Sequence, residues 1–138
     1  MTDRQANERL LRDLMDVFWN EHRLERSGDF FANDAVLHSG TQDYAGRVGL
    51  GDDFAAPFFA AFPDLHHAIV YLLIDGDWAA MRYHGTGTLA HDYGGVEAPG
   101  QKLDHHGTAI FQLAHGRIAE VWGHSDLADW MAAQPQAA

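Results

Sequence analysis

The chain contains no cysteine. Disulfides, thiolate metal ligands and a cysteine nucleophile are excluded, although this says little about the cellular compartment. Positive charge is scarce: nine Lys and Arg stand against twenty Asp and Glu, a formal net charge of −11. Such a surface repels polynucleotides and anionic membranes at long range, so neither is expected as a partner. No run approaches the roughly 20 apolar residues of a membrane span. The first residues, MTDRQANERL, lack the apolar core of a signal peptide. A cytoplasmic location is expected. Repeats and low-complexity linkers are also missing, and residues 1–138 read as one domain. AAQPQAA at the end reads as a frayed tail.

Histidine is abundant, with ten copies beside 12% aromatic residues. Together they point to a cavity of rings and imidazoles; the plainer alternative for any one histidine is a solvated surface position.

A helix is predicted over Asp3–Glu21, opened by a Thr2/Gln5 capping pattern, with Ala6, Leu10, Leu14 and Val17 or Phe18 at helical spacing. A short helix over Leu24–Phe31 and a strand over Ala35–Ser39 follow, then a glycine-rich loop over residues 40–51. A third helix runs up to Pro63, with Pro57 kinking it or marking its first turns and Phe54, Phe58, Phe59 and Phe62 giving it an apolar face. From Ala68 the chain turns to β: AIVYLLI, a DGD turn at 75–77, WAAMRYHGTGTLA, a loop over 91–100, KLDHHGTAIFQL, a turn at 114–116, and RIAEVWGH. A short helix starts near Asp126. Helices first and antiparallel strands after predict an α+β fold. A curved sheet closed by helices makes a cone whose interior is a natural small-molecule pocket.

The stretches VFWNEHRLERSGDFFANDAVLHS, FFAAFPDLHHAIVYLLIDGDWAAMRYHGTGT and GTAIFQLAHGRIAEVWGHSD resemble the SnoaL-like polyketide cyclases, within the wider nuclear-transport-factor-2-like (NTF2-like) group. The resemblance implies the α+β cone around a central pocket, no cofactor, and a homodimer paired through the outer face of the sheet. It also implies that Asp126, just after the last strand, acts as general acid/base in an intramolecular aldol closure. A second branch of the same fold, the ketosteroid isomerases, is similar through FFANDAVLHS and GTAIFQL. Alignment there puts the isomerase's two functional aspartates at Ser39 and Ala109, which cannot do their work, so the isomerase mechanism is not expected.

Asp126 also has a structural reading as the N-cap of the helix begun by DLADWM, although Ser125 would cap equally well and leave its carboxylate free. Catalysis requires that carboxylate to be partly dry and aimed at the pocket. Glu120, Trp122 and His124 alternate on one strand face with Asp126 at its end; Trp122 would floor the pocket and His124 would bond near Asp126. His105 and His106 must face opposite ways; the isomerase resemblance implies that position 109 lies in the cavity, and parity counted from it puts His105 inward. His38, beside Ser39, is a candidate proton relay or carbonyl-polarising group. The facing of His84 stays open, and Asn20, in WNEH, is read as a pocket contact or helix C-cap.

The candidate catalytic residues are thus Asp126, His105 and His38. The pocket is expected to be lined by Phe18, Phe59, Phe62 and Trp122, with His124 at the strand end. No metal site is expected: helical HxxxH spacing is absent, and strand alternation splits both His66–His67 and His105–His106, leaving only a three-histidine set assembled across strands. The expected ligand is a small apolar or aromatic molecule. The expected activity is a cofactor-free ring closure or related proton transfer on a carbonyl compound. The alternatives are a dehydratase or hydrolase in the same pocket, or a binding domain without catalysis.

Overall fold

A computed structural model describes residues 3–137. Helix α1 (Asp3–Asp13) continues directly into a π-helical stretch, Leu14–Asn20, so the predicted first helix is present but changes pitch midway. Its Thr2 capping pattern lies outside the described residues. A 3₁₀ turn (Leu24–Arg26) and α2 (Ser27–Phe30) make up the short second helix. Strand β1 (Phe31–Ser39) starts four residues earlier than its sequence pattern indicates, because an irregularity between Phe31 and Val36 interrupts the alternation on which the expectation rested. The stretch expected as loop holds β2 (Gln42–Ala45), α3 (Gly46–Val48) and the start of a second π-helical stretch, Gly49–Ala55. This leads into α4 (Ala56–Ala61), where Pro57 occupies the first turn, at the junction of the two helical stretches.

The remaining strands are β3 (His66–Asp75), β4 (Trp78–Thr88), β5 (Lys102–Ala114) and β6 (Arg117–Ser125), followed by α5 (Leu127–Ala132). The described strands form a six-stranded sheet in the order β2-β1-β6-β5-β4-β3. Neighbours are antiparallel except β1 and β6, which run parallel. In β5 the inward residues Leu103, His105, Gly107, Ala109, Phe111 and Leu113 are all buried, and their alternates are open to solvent or only part-covered. Register shifts in β1, β3 and the β5–β6 pair add local twist and bend the sheet into an open, curved wall. Helix α1 and its π-helical continuation pack against β3, and α5 packs against β5.

The C-terminal tail does not fray as expected. Glu97 N–H donates to Pro135 O, Ala137 N–H donates to Gly95 O, and Val96 bridges to Gln136, so the tail ties down the loop over residues 91–100. Val96 is consequently buried in the core.

Phe18, Phe62, Leu11 and Ile118 are fully buried where helix meets sheet, and Phe18 sits edge-on to Trp19, Phe31 and Phe59. Phe18→Ala is expected to lower stability by about 3–5 kcal/mol in urea unfolding, because it removes a fully buried ring packed on three others. A change within about 0.5 kcal/mol, the range of surface replacements, would show that Phe18 does not hold the helix to the sheet.

Candidate functional site

Between the concave face of the sheet and the helices lies a cavity of about 530 Å³, inside the roughly 300–1,000 Å³ range of small-molecule sites. Its wall is aromatic, but not with the expected rings. Trp19, Phe31, Phe54, Phe58 and Phe111 line it, with Tyr44, Tyr83 and Tyr93. Phe18, Phe59 and Phe62 stand one layer behind. The cause is the helix pitch. A π-helical turn closes i→i+5 hydrogen bonds rather than i→i+4, so a count at the α period drifts off the true face. Met15 and Trp19 reach the cavity, and Phe18 turns into the core. Phe54, in the second π-helical stretch, and Phe58, in α4 just after it, reach the cavity as well.

Two histidines form the polar part of the wall. His105 faces inward as parity indicates, and His67 joins it from β3. Both are buried, at 3% and 5% exposure, and Nε2 of one lies 3.3 Å from Nε2 of the other. The two rings meet over Gly85, which pairs with His67 on one side and His105 on the other; a Cβ at that position would collide with both imidazoles. Burial pushes the His67 pKa down to about 3 and that of His105 to about 4; for His105 the carboxylate of Asp126 opposes the shift. Both rings are therefore neutral near pH 7. A hydrogen bond between two neutral Nε2 atoms needs one donor and one acceptor. One ring thus carries its proton on Nε2 and the other on Nδ1. Both Nδ1 atoms are buried without a partner among the described residues, so the pair holds one unmatched N–H and one unmatched lone pair.

The position of His67 is set from behind. Asn20 accepts from the His67 N–H at 2.7 Å and donates to the His67 carbonyl at 2.9 Å, so it is a strand clamp rather than a pocket contact or helix cap. His22 reaches Leu65 O at 3.1 Å and stacks on Phe59 at 4.3 Å. Tyr83 lies beside both histidines, at ring distances of 5.1 and 5.9 Å, and burial raises its pKa to about 12, so it stays a protonated donor.

The other candidates fall elsewhere. The β5–β6 register opposes Ala109 to Gly123 and Ile110 to Trp122, which turns Trp122 to the convex face, away from the cavity. There it stacks between His38 (5.4 Å) and Trp78 (5.8 Å). His38 pairs with Trp122 across the parallel β1–β6 ladder and faces the same way, so it does not reach the cavity. Its ring bridges Glu120 (2.5 Å) and Asp43 (2.7 Å), and these two carboxylates raise its pKa. His124 contributes to the cavity rim beside Gly123 and Ser125. His106 faces outward, stacked on His84.

Asp126 is the main departure. Ser125 Oγ accepts from the Leu127 N–H at 3.2 Å, so Ser125 does the side-chain capping and the Asp126 carboxylate is left over. It is not aimed into the cavity. Its Oδ1 accepts the His106 N–H at 2.7 Å while its own N–H donates to His106 O, extending the β5–β6 ladder by one residue, and the side chain is 48% exposed. Among the described residues no carboxylate lines the cavity. His67 is the site residue that the sequence reading passed over. The alternation of HHAIVY leaves one of two adjacent histidines inward, but only the β3–β4 register shows which, and what it meets.

The model of the SnoaL-like polyketide cyclase family matches residues 9–134. Among solved structures, a candidate SnoaL-like polyketide cyclase from Jannaschia sp. CCS1 superimposes with a TM-score of 0.85 at 21% identity, covering 98% of both chains. A candidate polyketide cyclase from Acidithiobacillus ferrooxidans gives 0.81 at 22% identity, covering 96% of this chain and 98% of the other. IdmH, a candidate polyketide cyclase from Streptomyces antibioticus, gives 0.79 at 26% identity over 94% and 97%. No curated protein matches.

The buried pair makes stability depend on pH. Unfolded, each histidine takes up a proton near pH 6.5; folded, His105 and His67 resist until about 4 and about 3. Between those limits the unfolded chain binds more protons, so their contribution is fully present above about pH 6.5 and is lost as pH falls toward 4 and 3. Urea midpoints measured across that window should fall more steeply for the wild type than for the His67→Asn/His105→Gln double variant. Parallel slopes would mean that the pair titrates normally.

Proposed function

The chain belongs to the SnoaL-like polyketide cyclase family, and on that premise we propose that it is a cofactor-independent enzyme performing general acid/base chemistry on a small, mostly apolar carbonyl compound. The reaction would be an aldol-type ring closure or a related proton transfer. The observation that carries this proposal is the neutral His67–His105 pair in the wall of an otherwise apolar, aromatic cavity. A neutral imidazole can take a proton from a carbon made acidic by flanking carbonyls. The resulting carbanion attacks a second carbonyl of the same molecule, a C–C bond forms, and the imidazolium returns the proton to the new alkoxide. The net change is an isomerisation that needs no co-reactant. His105 is the proton carrier, with His67 fixing its tautomer and the Tyr83 hydroxyl available to a developing oxyanion. Flat aromatic or polyketone ligands suit the Trp19, Phe54 and Phe58 walls.

Asp126 enters as a positioning residue. Its charge counteracts the burial of His105 and so keeps that imidazole a usable base. Its exposure favours a second reading, a binding domain that keeps the cone without the reaction. The homodimer is also a proposal. It is supported by the apolar side chains left open on the convex face, among them Leu73 at 61% and Trp78 at 47% exposure. Analytical ultracentrifugation of Trp78→Asp should show a shift toward monomer.

The functional test uses a panel of aromatic β-keto esters, with binding followed through Trp19 fluorescence and turnover by product mass. With a substrate in hand, His105→Gln should reduce kcat by about 10²–10⁴-fold, the range for removal of a general acid/base, with circular dichroism unchanged. Asp126→Asn should reduce it less and move the His105 titration further down. The reverse order of damage would make Asp126 the proton carrier. Tight binding without turnover by the wild type would leave the binding domain.

A further inference from the structure

On the convex face, outside the cavity, His84, Asp104 and His106 converge. We propose that these three side chains form a binding site for a divalent transition-metal ion of the zinc type. Strand alternation separates His105 from His106, but it also sends His106 outward to meet His84, its direct partner across the β4–β5 ladder. The two imidazoles stack at 4.3 Å with planes 3° apart. Asp104 precedes His106 by two residues on the same face, and its Oδ1 lies 2.6 Å from His84 Nε2. One donor atom from each of the three residues falls within 4.8 Å of the others, and among the described residues no other such group of histidines and acids converges this closely.

Zinc bonds of about 2.0–2.2 Å in tetrahedral geometry place ligand atoms roughly 3.3 Å apart. The 2.6 Å between His84 Nε2 and Asp104 Oδ1 is shorter than that and the other spacings are within 4.8 Å; all three side chains are at least one-third exposed, so rotation about their own bonds can close the difference. Binding would replace the hydrogen bond between His84 Nε2 and Asp104: the ion takes both atoms, and the neutral imidazole carries its proton on Nδ1. Two imidazole nitrogens and one carboxylate oxygen suit Zn²⁺, Ni²⁺ or Cu²⁺ better than Mg²⁺ or Ca²⁺, and they leave a fourth position for water. The surroundings agree. Ala68, the β3 neighbour of His84, leaves room above the ring. The Asp126 carboxylate accepts the backbone N–H of His106 and lies 3.9 Å from its Nδ1, so that a small rotation of the ring would let it accept the ring N–H, the support a carboxylate gives a metal-bound histidine. Arg82 follows on the next row of the face, where the carboxylates of Asp104 and Asp126 outnumber it.

The test is a titration of the full chain with Co²⁺, read by ligand-field absorption, followed by displacement with Zn²⁺ in a calorimeter. One ion per chain is expected, with a Zn²⁺-dependent rise in Tm by mass action. His84→Gln and His106→Gln should each weaken binding by at least about tenfold, since even loss of a group supporting a ligand has an effect of about 10–100-fold, and Asp104→Asn should do the same. His91→Gln, in the exposed loop, should leave binding unchanged. All of these positions are on the surface, and circular dichroism checks that each variant folds. The proposal is overturned if no saturable Co²⁺ signal appears. It is equally overturned if several ions bind per chain with affinities that His84→Gln and His106→Gln do not change, the behaviour of scattered surface histidines.

Discussion

The pairing that sets Gly107 between Tyr83 on β4 and Ser125 on β6 governs most of what this molecule can do. A strand has only two faces, so one such pairing assigns the residues of β4 and β5, and those of β6 from Glu120 onward, to the cavity or to the outside. It puts His106 beside His84 and, with the β3–β4 register, His105 beside His67. It also sends Trp122 outward and puts Gly123 where a larger side chain would enter the cavity. A slip of one residue would exchange the two sets, exposing Met81, Ala109 and Phe111 and drawing Arg82 and Thr108 inside. Hydrophobic burial therefore holds the register, and the register in turn places the imidazoles.

Keeping two imidazoles in a nearly dry wall is unfavourable. The remainder of the site is arranged around that penalty. Neutrality removes the largest part, since neither ring carries charge near pH 7. The shared Nε2 hydrogen bond removes another part, and it exists because Gly85 has no side chain to hold the rings apart. Asn20 and His22 bond only to backbone of the Leu65–His67 segment, which fixes where β3 begins and thus where the His67 ring projects. The two Nδ1 atoms remain unmatched. Unmatched buried polar atoms are uncommon because each is costly, and a polar group on a ligand is one way to satisfy them. The site is thus built less like a packed core than like a surface awaiting a partner.

The convex face follows different rules. Its pairs are part-covered or exposed, and ionic or stacked: His38 with Glu120 and Asp43, Trp78 with Trp122, His84 with Asp104 and His106. The same ten histidines thus serve two environments. In the cavity wall His67 and His105 lose basicity through burial, whereas carboxylates on the outside raise the basicity of His38. Composition alone does not distinguish these uses, because an imidazole's charge state depends on its neighbours rather than on its count.

Local pattern was enough to recognise the α+β class, the helix-then-strand order, the turns at 75–77 and 114–116, and the opposite facing of His105 and His106. Each depends on periodicity or turn chemistry within a few residues. Resemblance added the family, the cone and, through the place of Ala109, which of the two histidines faces inward. Most of what failed needed information from another part of the chain. Phe18 turned from the cavity because a π-helical stretch reset the helical count. Trp122 and His38 went outward because inter-strand register, which no single strand encodes, decided their face. The C-terminal tail was ordered by a loop some forty residues away. Asp126 could be placed at a helix start from its neighbours, but where its carboxylate went depended on an N–H twenty residues earlier in the chain, brought within reach only when β5 and β6 had paired. The meeting of His67 with His105 depended on three strands aligned so that a glycine lay between two imidazoles. A sequence determines such contacts only through the whole fold, because side-chain direction is a local property and side-chain company is not.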